Sequence, residues 1–363
     1  MEIQTDKTNN KDLNKSELEL PTDQTILVDS YGRVARKLRI SLTDRCNMRC
    51  KYCMPQGNIK WFKNEDILTY DEIFRLVVIL TNLGINKIRL TGGEPLLRPK
   101  LEDLVASLRR INAIKSISMT TNGLLLADKV KQLKEAGLDS VNISLDSFKT
   151  TRFKAITGSN LLEKVLESIE VAKSIGLKVK INTVIIRGWN EDEIVNFAEF
   201  ARTNGHIVRF IEFMPLDGDG IWQKNMVFSK NEMMNVIINN LGDIVPINTV
   251  TSSNDSTNML STDPASLYCF ADGKGIVGFI PSMTEPFCGN CDRIRLTSDG
   301  KLLTCLFEKP RYDMRNMLRA GCSDHEIKKQ LIANVRKKPE GIIRIISGNK
   351  LEPSLNMMHR IGG

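Results

Sequence analysis

The sequence predicts an α/β chain in which six βα repeats wrap into a wide, partly open barrel with a polar interior. Two observations carry this. Strand-like and helix-like segments alternate from about residue 38 to residue 214, the pattern of a parallel sheet with helices outside it, either doubly wound or a partial barrel. The strands themselves are two-faced, whereas parallel strands buried on both sides read as near-continuous apolar runs.

The elements follow in order. Strand 38–42 alternates Leu38, Ile40 and Leu42 with Arg39 and Ser41. The helix beginning near 71 is opened by a capping box, Thr69-Tyr70-Asp71-Glu72, ahead of Ile73, Leu76, Val77 and Leu80. Strand 87–91 sets Ile88 and Leu90 against Lys87 and Arg89, with a helix from about 101. Strand 116–121 sets Ile117 and Met119 against Ser116, Ser118 and Thr120, with a helix from about 127. Strand 140–145 alternates Val141, Ile143 and Leu145 with Asn142 and Ser144, and a helix begins near 161. Strand 178–185 alternates Val179 and Ile181 with Lys178, Lys180 and Asn182; a helix from about 191 and strand 207–213 complete the set. Gly84, Gly137 and Gly176 fall where helices should stop.

The apolar faces are expected to pack on the helices, leaving Arg, Lys, Ser, Thr and Asn around a common lumen. An antiparallel sheet with one wet face would show the same alternation, but helices between all the strands argue against it. Unpaired charges inside a barrel are costly, so the lumen should hold a polar, anionic ligand.

Composition sets limits. The chain has 363 residues, room for one large domain or two, and no apolar run approaching a membrane helix. The N-terminus lacks the regions of a secretory signal. Residues 1–25 are expected to be a disordered acidic tail: up to residue 24 they hold three lysines against six acids, about −3, so with a net charge of +8 the body carries about +11. A basic body suggests an anionic partner. No basic stripe interleaved with aromatics suggests stacked bases, so no nucleic acid is expected.

The cysteines are more specific. Eight in so long a chain are too sparse for a disulfide framework, and six of them form two trios: Cys46-x3-Cys50-x2-Cys53, and Cys288-x2-Cys291-x13-Cys305. Such thiolates bind soft metals, as zinc or iron–sulfur centres. A structural zinc site closes with four protein ligands; each trio offers three, so a four-iron cluster would keep one iron open for chemistry. A cytoplasmic, reducing location is expected. Cys269 and Cys322 stand outside the trios with no motif around them.

The CxxxCxxC run after the first strand, with Thr91-Gly92-Gly93-Glu94-Pro95 after the second, resembles the radical S-adenosylmethionine (SAM) superfamily. The second trio, with Arg293-Ile294-Arg295 between its cysteines and a terminal Gly362-Gly363, is similar to that of the GTP 3′,8-cyclases of molybdenum cofactor biosynthesis, over about Gly32 to Gly363. The resemblance implies a partial (βα)6 TIM-type barrel over residues 26–214. It also implies a C-terminal α+β region over 215–363 that carries a second iron–sulfur cluster. It implies two [4Fe-4S] clusters, with SAM on the open iron of Cys46, Cys50 and Cys53 and guanine on that of Cys288, Cys291 and Cys305. SAM contacts are implied at Tyr52, Gly92, Gly93, Glu94, Ser144 and Met214, although Met214 alone would read as core. GTP contacts are implied at Arg39, Arg89, Thr120 and Lys180, with Lys87 and Arg209 as further phosphate partners and Arg293, Ile294 (through its backbone) and Arg295 completing the set. Any one of these arginines alone would read as a surface ion pair; together they suit phosphate oxygens.

The implied reaction removes the C3′ hydrogen of GTP with an adenosyl radical and closes C3′ onto C8. Gly362-Gly363 would thread into the site, though by composition it equally reads as a frayed end. The polar stretch 250–264 reads as a variable loop. The family further implies a homodimer, a one-electron donor such as flavodoxin or ferredoxin, and handover to cyclic pyranopterin monophosphate synthase. Three alternatives fit less. A peptide-modifying radical enzyme needs more cysteines. A tRNA-modifying one lacks an RNA-binding domain here. A zinc protein pairing Cys50 and Cys53 with Cys288 and Cys291 strands Cys46 and Cys305.

Overall fold

The computed structural model describes residues 26–247, 264–310, 312–342 and 357–362. The acidic tail 1–25, the polar stretch up to residue 263 and Gly363 therefore lie outside the described residues. Six parallel strands run in chain order: β1 (Lys37–Ser41), β2 (Lys87–Thr91), β3 (Ser116–Thr121), β4 (Ser140–Ser144), β5 (Lys178–Ile185) and β6 (Ile207–Glu212). Between them lie α1 (Tyr70–Thr81), α2 (Leu101–Arg109), α3 (Leu126–Glu135), α4 (Thr150–Thr157), α5 (Leu162–Ser174) and α6 (Ile194–Asn204). The capping box forms as expected, Thr69 and Glu72 each closing on the other's backbone. Helix α4 was not expected. Its sequence, TTRFKAIT, has too few apolar residues to show a period, and it ends on Gly158 in the left-handed conformation.

The two faces sort as the alternation requires. Leu38, Ile40, Ile88, Leu90, Ile117, Met119, Val141, Ile143 and Ile181 are all buried in one core under the helices. Each such side chain contributes roughly 1.5–3 kcal/mol of burial free energy. The opposite face is polar and lines the lumen.

Beyond residue 214 come α7 (Lys230–Leu241), β7 (Ile244–Pro246), β8 (Ser266–Phe270), β9 (Ile276–Ile280), β10 (Arg293–Leu296), β11 (Lys301–Leu303), β12 (Tyr312–Asp313), α8 (Met314–Arg319) and α9 (Asp324–Arg336). These strands make no sheet of their own. The single sheet runs β12-β11-β10-β1-β2-β3-β4-β5-β6-β9-β8-β7. Strand β10 joins β1 and β9 joins β6, both parallel, and the outer strands are antiparallel. The row starts at β12 and ends at β7 without pairing end to end, so the barrel is open.

Candidate active site

The first trio occupies the loop that leaves β1. Cys46, Cys50 and Cys53 are unpaired and half-buried. The loop turns on Cys50, whose carbonyl accepts from the amides of Cys53 (3.0 Å) and Met54 (2.9 Å). Helix α4 holds it from one side: Arg49 N–H donates to Thr157 O (2.8 Å) and Lys51 N–H to Ile156 O (3.0 Å). The loop after β2 holds it from the other, Gly93 N–H donating to Thr43 O (2.6 Å) and Glu94 N–H to Arg45 O (2.8 Å). A Cβ at Gly93 would lie 2.2 Å from Arg45 O, and one at Gly92 2.7 Å from Thr43 O, so both positions need glycine for close approach.

The sulfurs are supplied with neutral donors. Met48 N–H (3.4 Å) and the Asn122 amide (3.6 Å) point at Cys46 Sγ, and the His359 backbone N–H donates to Cys53. Burial, with Glu94 adding to it, pushes the Cys46 thiol up to about 11. Burial likewise drives Cys50 and Cys53 well above the ordinary thiol value. Thiols in this state give up their protons to a bound metal rather than to water.

Among the described residues no three His, Cys, Asp or Glu side chains converge on a single ion. A four-iron cluster spaces its thiolates more widely than one ion does. Three thiols around a turn, with N–H groups aimed at sulfur, fit such a cluster.

The other residues expected around SAM gather near this loop. Tyr52 donates its hydroxyl to Asp146 Oδ2 (2.7 Å). Asp146 follows β4, is buried, and has its carboxyl pushed up to about 6 by burial. Ser144 ends β4 and Met214 follows β6, both half-buried. Glu94 is fully buried and accepts from Thr121 Oγ1 (2.7 Å), Leu96 N–H (3.1 Å) and Asn122 N–H (2.8 Å), with burial raising its carboxyl to about 7. Its oxygens thus fasten the β3 loop to the β2 loop.

Cations line the lumen in rows set by strand register. Arg295 stands opposite Arg39, Arg39 opposite Arg89, and Arg89 opposite Ser118. One step toward the strand starts, Arg293, Lys37 and Lys87 form a second row, with Lys87 exposed at the barrel mouth. Across the lumen, Arg209 donates to Asn182 (3.0 Å) and Asn142 (2.6 Å), and Asn142 stands between Thr120 and Lys180. Burial, then repulsion from Arg295, Arg89, Arg293 and Arg209, holds Arg39 well below the ordinary guanidinium value. Burial and Arg293 bring Arg295 down to about 9. The lumen is strongly electropositive, and a polyanion would relieve it. Ile294 faces the other way, fully buried opposite Leu38, so only its main chain is left for a ligand.

The second trio surrounds the start of β10. Cys288 and Cys291 precede it and Cys305 follows β11. Because β10 is parallel to β1, this trio sits at the mouth opposite the first, about 15 Å away along a strand of this length. The Cys291 thiol, which burial would raise, is brought down to about 7 by Arg293 and Lys338, whereas burial raises Cys305. Arg33, ion-paired to Asp29 (2.6 Å), donates to Cys288 O (2.8 Å) and to the carbonyls of Pro339 and Glu340. Gly341 presses on the trio: a Cβ there would meet Cys288 Sγ at 2.5 Å. The three thiols and this cradle also fit a cluster.

The C-terminal segment enters the barrel. Arg295 donates to the carbonyls of Ile361 and Gly362, and a Cβ at Gly362 would lie 2.5 Å from Thr91 and 3.6 Å from Ser41. Upstream, Arg360 donates to Lys60 O (2.9 Å) and His359 packs edge-on to Trp61. Asn122, Asp146, Arg33 and Lys338 escaped the sequence reading. Only Asn122, in the TTNG turn after β3, sits where a motif could have flagged it.

Comparison with known proteins agrees with this geometry. Residues 40–201 match the family model of the Radical SAM superfamily, and residues 206–343 match that of Molybdenum Cofactor Synthesis C. The GTP 3′,8-cyclase of Thermodesulfovibrio yellowstonii is 43% identical over 86% of this chain and 95% of its own. That of Clostridium botulinum is 41% identical over 93% of this chain and 100% of its own. The chain belongs to the GTP 3′,8-cyclase family. It is thus a radical SAM enzyme whose cofactors are SAM and two [4Fe-4S] clusters. Streptococcus suis SuiB, crystallised bound to SAM, shares the fold with a TM-score of 0.55 at 14% identity, covering 85% of this chain and 69% of that one. Among the described residues no helix is long and apolar enough to cross a membrane.

Proposed function

We propose that this enzyme cyclises GTP to (8S)-3′,8-cyclo-7,8-dihydroguanosine 5′-triphosphate, the first step of molybdenum cofactor biosynthesis, inside the open barrel. The observation that carries the reading is the placement of β10 against β1. It brings Arg293 and Arg295 into register with Lys37 and Arg39 and sets one cysteine trio at each mouth of a cationic lumen.

Cys46, Cys50 and Cys53 would hold the first cluster, and Cys288, Cys291 and Cys305 the second. A cluster held there with SAM bound would supply the adenosyl radical chemistry that removes hydrogen from an unactivated carbon. The chain's own residues bind, orient and shield. The cysteine loop, held between α4 and the Gly92-Gly93 turn, fixes the SAM end, with Tyr52 steadied by Asp146. The guanidiniums of Arg39, Arg89, Arg293 and Arg295, with Lys87, Lys180 and Arg209, would clamp the triphosphate, supported by Thr120. Holding the ribose at one depth in the lumen converts an encounter into a positioned reaction. The tail at Gly362 narrows the lumen and limits water. The electron donor, a protein such as flavodoxin or ferredoxin, the homodimer, and transfer of product to cyclic pyranopterin monophosphate synthase complete the proposal.

The test is an anaerobic assay with SAM, dithionite and GTP. Formation of 5′-deoxyadenosine that depends on GTP, with the cyclised triphosphate as product, is expected. Stimulation by a peptide or tRNA but not by GTP would overturn the reading.

A further inference from the structure

A lysine is buried beside the second trio. Lys338 follows α9 and is only 3% exposed. Its ammonium donates to Cys291 O (2.7 Å), to Arg293 O (3.0 Å) and to Cys291 Sγ (3.5 Å). Among the described residues no carboxylate lies within ion-pair distance of it. A buried ammonium is costly unless an opposite charge stands near it, and a metal-bound Cys291 thiolate, whose sulfur it touches, would supply one.

The first trio is built the opposite way. Its sulfurs receive hydrogen bonds from the neutral donors Met48, Asn122 and His359, the buried carboxyls of Glu94 and Asp146 stand nearby, and the guanidinium of Arg49 acts on Cys46 without bonding its sulfur. Reducing an iron–sulfur cluster adds one negative charge to it, and hydrogen bonds to its sulfurs and neighbouring charge set how readily it does so.

We propose that Lys338 is a positioning residue that adds to Arg293 a second fixed positive charge at the second centre, the one bonded directly to its sulfur, making the centre easier to reduce while tying it to the start of β10. The inference rests on the reading that Cys288, Cys291 and Cys305 hold a cluster. Because the same ammonium bonds the carbonyls of Cys291 and Arg293, the centre and the phosphate-facing arginine row are held as one unit.

The test is a redox titration followed by electron paramagnetic resonance, one electron per cluster supplied by dithionite, on full-length reconstituted protein. Titrations on a Cys50→Ala background, which keeps the second trio alone, assign the signal. Lys338→Met should lower the midpoint of the second centre by at least about 59 mV, a tenfold change in the one-electron equilibrium constant. Lys338→Arg should restore most of it, and the first centre should not move. An unchanged midpoint in an iron-replete Lys338→Met protein overturns the proposal. Should Lys338→Met lose its iron, Lys338→Gln, which still donates but carries no charge, is titrated against the same expectation. Loss of iron from both neutral variants but not from Lys338→Arg, with an unchanged circular dichroism spectrum, supports the charge role. Loss from all three overturns it. If wild-type protein takes zinc, or no iron, at the second trio, it is the underlying reading that fails, and this is seen before any Lys338 variant is made.

Discussion

Replacing Gly93 with alanine tests how the two loops around the first trio depend on each other. The added methyl carbon would lie 2.2 Å from Arg45 O and 2.8 Å from Asp44 O, both main-chain atoms that cannot rotate away. Gly93 has no positive φ, so the perturbation is a clash and not backbone strain. The loops must part by roughly 1 Å, and overpacking of this kind costs about 1–3 kcal/mol. Parting also stretches Gly93 N–H to Thr43 O and Glu94 N–H to Arg45 O, each contributing about 1 kcal/mol. A loss of about 3–5 kcal/mol follows, centred one residue from Cys46. SAM affinity should fall about 10- to 100-fold if half or more of that loss is expressed in binding. Anaerobic equilibrium dialysis of reconstituted protein measures it, with calorimetric melting of the cluster-free protein alongside. Gly57→Ala is the control, since a Cβ there meets nothing within 4 Å. If Gly93→Ala binds SAM and melts like Gly57→Ala, the loops do not support each other and the reasoning fails.

Three further outcomes are expected. Cys305→Ala should keep SAM binding, lose about half of the cluster iron and abolish GTP turnover; retention of full iron and sulfide would count against a second cluster ligated by this cysteine. Arg295→Met removes a guanidinium from the buried row, and a charge-assisted hydrogen bond contributes about 1.5–3 kcal/mol. GTP affinity by titration calorimetry should therefore drop about 10- to 100-fold while SAM affinity holds, and an unchanged GTP affinity would remove Arg295 from the clamp. Burial raises the Glu94 carboxyl from its ordinary 4.5 to about 7, so the folded state holds a proton that the unfolded chain releases. Stability of the cluster-free protein should then fall as pH rises from about 4.5 to about 7, by of the order of 3 kcal/mol, and flatten above. Asp146, raised to about 6, adds in the same direction. Glu94→Gln should reduce the slope in denaturant unfolding at pH 5 and 7.5, and an undiminished slope would exclude Glu94 as its source.

What could be read from the sequence was whatever a local period encodes. In β1 and β2, Leu38, Ile40, Ile88 and Leu90 alternate with Arg39 and Arg89, and burial follows that alternation. The Cys46 and Cys288 trios were legible because ligand spacing is itself local. The partners of Arg293 and Arg295 were not. Their place in the lumen depends on β10 joining β1 far along the chain, which four residues of RIRL do not specify. Lys338 was hidden for a different reason. In the run Lys337-Lys338 both residues read as solvated, yet one is exposed and the other buried against a cysteine. Asp146 likewise follows β4 where a polar loop residue is unremarkable, and only the fold brings it to Tyr52.

The direction of one strand decides how the proposed site can work. An antiparallel β10 would have carried Cys288 and Cys291 to the same mouth as Cys46. Parallel to β1, it carries them to the other, and the charges divide accordingly. Lys37, Lys87 and Arg293 form their row near the second trio, with Lys338 behind it. The buried carboxyls Glu94 and Asp146 stand near the first. In the proposed reading, a triphosphate would be drawn toward the end that carries the second trio and away from the Cys46 loop. A nucleotide anchored there by its phosphates would then place its ribose in the space between the two trios.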